Sequence, residues 1–235
     1  MDFVLERGNI INCDTDAVVL PANIYLKEGT GTSHAIFSAA GRKELTKACS
    51  DIGRCELGTA VPTSGYKLRA EFIIHAVVPK WIDGAHNEYE LLSSAYISSL
   101  AVADTMKCES ISFPMLSAGN NGFDRGVAFQ VARESINSFE GENLREVKLI
   151  VYDEEMAVFV RTQGYDVVDH IKISKLKRNS KNKEIKDKAL NAGIEFIKEH
   201  KGEIIKYGIE IAALVILKKT PKEILIEFAE KSVKN

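Results

Sequence analysis

The chain has 235 residues, of which 45% are hydrophobic, and its formal net charge is −2. This length allows one domain with a full core and an extension. No apolar run reaches 18 residues, and the four cysteines show no Cys-x-x-Cys spacing, which argues against a membrane span, a zinc knuckle and a disulfide framework. We therefore expect a soluble, cytoplasmic protein without a metal or cofactor.

The charge is divided unevenly along the chain. Residues 1–170 carry 15 Lys and Arg against 24 Asp and Glu, which gives −9, whereas residues 171–235 carry 16 against 9, which gives +7. This asymmetry indicates two units with different roles. We place a folded domain at 1–168, a basic linker at 169–183 and a helical extension at 184–235.

Short runs rich in Val, Ile and Phe alternate with helical patterns as far as residue 168. The predicted strands are 3–5, 17–20, 71–78, 110–116 and 146–152, with a further strand and turn near a sheet edge at 58–68. The predicted helices are 33–52, 87–106, 125–139 and 154–163. Several strands are apolar on both faces, so the pattern predicts an α/β domain whose mostly parallel sheet is covered on two sides.

The pattern changes after residue 170. Residues 171–183 are basic and contain no acid, which predicts a solvated linker. Aromatic residues are not interleaved with these lysines, so nucleic-acid binding is not favoured. Residues 184–235 show helical apolar spacing, and the last helix starts at a capping box at 220–223. These helices would pack on the first domain, self-associate across a dimer or bind an acidic partner.

A glycine-containing loop follows the second predicted strand. That strand ends at Ala22 and Asn23, and Gly29 and Gly31 precede a helix that begins near Ser33. The backbone N–H groups of such a loop, with the positive end of the helix behind them, can hold a phosphate. A tight turn explains the same glycine spacing, so this motif alone leaves both interpretations open.

A second loop has the same position relative to its own strand. It consists of Ser117, Ala118, Gly119, Asn120, Asn121, Gly122 and Phe123. Ligands in parallel sheets bind at the carboxyl ends of strands, so the two loops could grip a diphosphate from both sides. Phe123 would then pack on a sugar, and Tyr152 on a base. The alternatives are a hydrophobic staple for Phe123 and a half-buried strand residue for Tyr152.

Several motifs occur in a fixed order along residues 2–168. They are Gly-Asn-Ile at 8–10, Leu-Pro-Ala-Asn at 20–23, Glu-Gly-Thr-Gly at 28–31, Ala-Ile-Phe-Ser-Ala-Ala-Gly at 35–41, Ser-Gly-Tyr-Lys-Leu at 64–68, Ile-His-Ala-Val-Val-Pro at 74–79 and Phe-Pro-Met-Leu-Ser-Ala-Gly-Asn-Asn-Gly-Phe at 113–123. Together they resemble the macrodomain family, which binds ADP-ribose. The resemblance implies a three-layer α/β/α fold around a mixed, mostly parallel sheet.

The resemblance also implies roles for individual residues, with free ADP-ribose or an ADP-ribosylated macromolecule as the partner. Asn9, followed by Ile10, would stand where the family's Asp accepts a hydrogen bond from the adenine. Asn23, next to Ala22, would contact the distal ribose. The diphosphate would lie between Gly29 and Gly31 on one side and residues 117–123 on the other, and Tyr152 would cover the adenine.

The resemblance is weakest where the family's hydrolases carry a catalytic acid, because that position is Ser33 here. Serine is not a base near neutral pH, so the catalytic residue is unknown. An ADP-ribosyl or O-acetyl-ADP-ribose hydrolase using a non-standard group is the alternative function. Glu28 and Asp124 are candidates but are equally explained as solvated loop carboxylates. His34, near the distal ribose, could orient a water; the alternative is a filler or steric gate. We expect His75 to be a core histidine.

Overall fold

A computed structural model describes residues 1–169, so the predicted helical extension and all but the first residue of the predicted linker lie outside the described residues. The strands are β1 Asp2–Arg7, β2 Ala17–Ala22, β3 Ala60–Ser64, β4 Phe72–Val77, β5 Ser110–Pro114, β6 Glu146–Val151 and β7 Val167–Asp169. They form one sheet in the order β3-β4-β2-β5-β6-β1-β7. Strand β3 pairs antiparallel with β4, and the other pairs are parallel.

The helices are α1 Thr32–Ala40, α2 Arg42–Ile52, α3 Glu88–Thr105, α4 Arg125–Ser138 and α5 Glu154–Thr162, with a short 3-10 turn at Ile10–Asn12. The prediction of one helix over 33–52 was wrong. Gly41 has φ +109°, and this conformation ends α1 and turns the chain into α2. The short edge strand β7 was not predicted, because three residues are too few to show an alternating pattern.

Helices cover both faces of the sheet, and each face has its own hydrophobic core. On one face, residues of α3, α4 and α5 cluster with Val19, Phe113 and Leu149. On the other face, residues of α1 and α2 cluster with Val18 and Ile73. Side chains alternate along a strand, so neighbours in β2 contribute to different cores. The predicted three-layer α/β/α arrangement with a mixed, mostly parallel sheet is confirmed. No helix within residues 1–169 is both long and apolar enough to cross a membrane.

His75 is a core histidine, as the sequence predicts. It is fully buried in β4, where Nε2 lies 2.9 Å from the Thr63 hydroxyl and the Cys49 sulfur lies 4.0 Å from the ring. Burial disfavours the charged imidazolium and lowers the pKa of His75 to about 4. The imidazole is therefore neutral in the folded protein at pH 7.

This buried histidine makes the stability of the domain depend on pH. Its ordinary pKa of 6.5 lies above the folded value of about 4, so the unfolded chain binds more protons between these limits. The contribution of neutral His75 to the free energy of unfolding is fully present above pH 6.5. About 3 kcal/mol of it is lost as the pH falls to 4, at about 1.4 kcal/mol per pKa unit. Urea unfolding at pH 7 and 4.5 measures this loss. His75→Gln should show a smaller loss than the unmodified protein. An unchanged loss in His75→Gln would contradict the assignment.

Candidate functional site

The predicted site residues lie at one edge of the sheet, where β2, β5, β6 and β1 have their carboxyl ends. Neighbouring pairs among these strands are parallel, so the loops that follow them start side by side. The first and second loops meet directly, because Asn120 Nδ2 donates a hydrogen bond to Thr30 Oγ1 at 2.6 Å. The backbone N–H of Gly8 donates to the Val151 carbonyl at 3.1 Å, which places the residues after β1 beside those after β6.

The first loop presents a row of unused backbone donors. Gly31 precedes α1 with φ +58°, and no side chain caps this helix. The Gly29 N–H donates to Ser33 Oγ at 3.0 Å, and Ser33 is buried. Within residues 1–169, no protein acceptor takes the amide hydrogens of residues 30–34. Uncapped amides at the positive end of a helix are suited to an anion.

The second loop presents a similar row. The Ser117 hydroxyl, which is buried, donates to the Pro79 carbonyl at 2.8 Å, and the Trp81 N–H donates to the Asn121 carbonyl at 2.7 Å. These bonds attach the loop to the segment that follows β4. In the part of the chain that the structure describes, the amide hydrogens of residues 118–121 find no protein acceptor. The two loops thus offer two sets of free N–H groups at one sheet edge.

Phe123 anchors the second loop. It is 4% exposed, and its ring centre lies 5.3 Å from that of Trp81 and 6.3 Å from that of Tyr89, both edge to face. Phe123 thus packs against the segment after β4 and the start of α3, and a contact with a sugar would use only the small exposed part of the residue. Sequence reasoning missed Trp81, although a signal existed: it is the single tryptophan and follows a strand that ends at this edge.

Most of the hydrogen-bonding capacity of the Asn23 side chain is used within the loop that follows β2. Its Oδ1 accepts hydrogen bonds from the N–H groups of Tyr25 and Lys27, at 3.1 and 3.2 Å. Its Nδ2 donates to the Lys27 carbonyl at 2.7 Å. An amide nitrogen has two hydrogens, so one donor of this exposed residue is left for a ligand. Ala22, the last residue of β2, is buried.

The residues predicted to bind the adenine follow β1 and β6. Asn9 precedes the 3-10 turn, and its Oδ1 accepts the Ile11 N–H in a long bond of 3.3 Å, which leaves acceptor capacity on this oxygen. Ile10 is buried. Tyr152 is 72% exposed, so the alternative of a half-buried strand residue was wrong. Its ring is accessible to a planar group.

The three candidates for a replacement catalytic group all have structural partners. Glu28 accepts from Arg42 Nε at 2.7 Å and Nη2 at 3.0 Å, and it also lies 2.8 Å from His34 Nδ1. The hydrogen bond from Arg42 keeps the pKa of Glu28 below its usual range, which makes it a poor base. Asp124 caps α4 by accepting the Gly126 and Val127 N–H groups. Both acids lie in loops, as the alternative of solvated loop carboxylates states, and each also has a structural partner.

One cluster has the residue types of a metal site. Ligand atoms of Asp83, His86 and Glu88 lie within 4.8 Å of one another. The buried Glu88 carboxylate, however, accepts the N–H groups of four loop residues: Ile82, Asp83, Gly84 and His86. Burial raises the pKa of Glu88, but these donors outweigh it and lower the value to about 2. The carboxylate anchors the loop that carries Trp81, and its four amide donors argue against a cation there.

Comparisons with known proteins agree with this geometry. The macro domain family matches residues 19–132. A macro domain-containing protein of Caldanaerobacter subterraneus is 37% identical over 170 residues, which cover 70% of this chain and 96% of that protein. The O-acetyl-ADP-ribose deacetylase of Escherichia fergusonii is 38% identical over 155 residues, which cover 63% and 87%.

Solved structures give the same result. A mutant of the Oceanobacillus iheyensis macrodomain with ADP-ribose has a TM-score of 0.63 at 32% identity, covering 67% of this chain and 88% of that one. The Trypanosoma brucei macrodomain in complex with ADP-ribose has a TM-score of 0.63 at 26% identity, covering 69% of both chains. With its sheet order, its two glycine loops and these relatives, the chain belongs to the macro domain family.

Proposed function

We propose that the domain binds ADP-ribose, free or attached to a macromolecule, in the cleft between the two loops. The observation that carries this proposal is the pair of free amide rows at 30–34 and 118–121, joined by the contact between Thr30 and Asn120. Amide donors bind a diphosphate without cationic side chains, so the acidity of residues 1–170 is compatible with an anionic ligand. Related macrodomains have been solved with ADP-ribose or ADP.

The order of the strands supports the orientation of the ligand. Along the sheet edge, Asn23 follows β2, the second loop follows β5, Tyr152 follows β6 and Asn9 follows β1. Distal ribose, diphosphate and adenine have the same order along ADP-ribose. Neighbouring strands are about 4.8 Å apart, so the edge from β2 to β1 spans about 14 Å. We therefore place the ribose near Asn23 and the adenine between Asn9 and Tyr152.

A second candidate function is slow hydrolysis of an ester or glycosidic bond at the distal ribose. It is favoured by relatives named O-acetyl-ADP-ribose deacetylase. Ser33 accepts the Gly29 N–H and keeps a hydroxyl hydrogen for a ligand oxygen, so its chemistry is that of a binding residue. With Asp124 capping a helix and Glu28 paired with Arg42, the group left to accept a proton is His34 through Nε2, because its Nδ1 lies 2.8 Å from Glu28. Binding is the principal function that we propose.

Titration calorimetry with ADP-ribose, ADP and AMP tests the binding function. We expect ADP-ribose to bind at least about tenfold more tightly than ADP, since hydrogen bonds to the distal ribose contribute about 0.5–1.5 kcal/mol each. AMP should bind more weakly than ADP, because it lacks the phosphate that bridges the loops. Equal affinities for ADP-ribose and ADP would contradict a ribose site at Asn23, and equal affinities for ADP and AMP would contradict the diphosphate site.

A further inference from the structure

The tips of the two glycine loops touch each other at one point. The Asn120 amide donates to the Thr30 hydroxyl at 2.6 Å across 90 residues of sequence, and both residues are exposed. Among the hydrogen bonds of residues 1–169, this one joins the two loops directly. Backbone amides suffice to bind a diphosphate, so neither side chain is required for that contact.

The base of each loop is held more firmly than its tip. In the first loop, the Glu28 carboxylate forms a two-point ion pair with Arg42 on α2, and Ser33 bonds back to Gly29. In the second loop, Ser117 is bonded to Pro79 and Asn121 to Trp81. A two-point arginine–carboxylate pair has a stricter geometry than one neutral, exposed hydrogen bond. The contact between the tips can therefore open while both loops keep their shape.

The contact lies between the two ends of the proposed ligand site. Thr30 belongs to the loop after β2, on the side of Asn23, and Asn120 belongs to the loop after β5, on the side of the adenine residues. A ligand that extends from Asn23 to Tyr152 must pass this point with its diphosphate.

We propose that Thr30 and Asn120 form a latch over the diphosphate, which opens to admit ADP-ribose and closes to retain it. This inference rests on the proposed binding function and adds to it a control of entry and release. The latch acts on ligands that extend beneath it from one side to the other. It therefore slows the release of ADP-ribose, free or attached, but not that of AMP, which ends before the latch.

Stopped-flow fluorescence with ADP-ribose tests the latch, using the intrinsic emission of Trp81, the only tryptophan, which packs against Phe123 at the base of the second loop. Thr30→Val and Asn120→Leu remove the hydrogen bond with little change of shape. Each should raise the dissociation rate of ADP-ribose roughly two- to tenfold, the range for losing one neutral hydrogen bond. Thr30→Ser keeps the hydroxyl and should behave like the unmodified protein. Melting temperatures check that all variants fold.

A double variant and a second ligand complete the test. Thr30→Val combined with Asn120→Leu should release ADP-ribose no faster than the faster single variant, because both remove the same contact. Dissociation rates of AMP should be the same in all five proteins. Independent effects of the two substitutions, or unchanged ADP-ribose rates, would overturn the latch. Calorimetry separates the two proposals: binding with unchanged rates refutes only the latch, and absence of ADP-ribose binding by the unmodified protein refutes both.

Discussion

We expect Gly31→Glu to abolish ADP-ribose binding while the domain remains folded. Gly31 has φ +58°, and a Cβ placed there would meet no protein atom within 4 Å, so a side chain would project into open space at the first row of free amides. A carboxylate at that point would block the amides and repel the diphosphate. Loss of two amide–phosphate hydrogen bonds, at about 1.5–3 kcal/mol each, corresponds to roughly a hundredfold weaker binding or more. Calorimetry measures the effect.

Gly164→Glu is the matched control for this substitution. Gly164 has φ +86°, and a Cβ added there would also meet nothing within 4 Å, but this glycine precedes β7 at the opposite edge of the sheet. Both substitutions place a side chain at positive φ, which L-residues adopt with difficulty, so both should lower the melting temperature. Only Gly31→Glu should lose the ability to bind ADP-ribose. If Gly31→Glu binds ADP-ribose normally, the diphosphate does not lie at this loop.

We expect Ser33→Asp to increase the hydrolysis of ester-linked ADP-ribose above the slow rate expected of the unmodified protein. A positioned general base typically contributes a hundred- to ten-thousand-fold to the rate, so we expect a gain of up to about a hundredfold if the water site is retained. One oxygen of the new carboxylate can accept the Gly29 N–H, as the Ser33 hydroxyl does at 3.0 Å, and the other is free to take a proton. Release of ADP-ribose from an ADP-ribosylated protein, and hydrolysis of O-acetyl-ADP-ribose, measure the rate.

Ser33→Asn is the control, because it has the shape of aspartate without its charge or basicity. It should leave hydrolysis slow. Ser33→Asp should also bind ADP-ribose more weakly than Ser33→Asn, since it places a negative charge near the diphosphate. Equal rates in the two variants would show that a base at position 33 does not activate water here. Rapid hydrolysis by the unmodified protein would refute the argument from Ser33 and would direct attention to His34.

The sequence predicted the fold class and the position of both loops because these depend on local patterns. Apolar runs and glycine spacing are visible over ten residues, and strands β1, β2, β4, β5 and β6 lie within two residues of their predicted limits. The prediction of one helix over 33–52 was wrong at Gly41. Apolar periodicity continues across this glycine and does not reveal its positive φ. The assignment of the ligand roles came from the resemblance of several motifs.

What each of these side chains does was decided only by the tertiary structure. Pairing of β2 with β5 brings Thr30 to Asn120, and the loop anchored by Glu88 brings Trp81 to Phe123, over separations that no local pattern encodes. The same holds for Glu28, whose carboxylate is occupied by Arg42 on another helix. Composition and spacing state which groups are available, but hydrogen bonds and burial depend on neighbours that are distant in sequence. Folding therefore determines which donors remain free for a ligand.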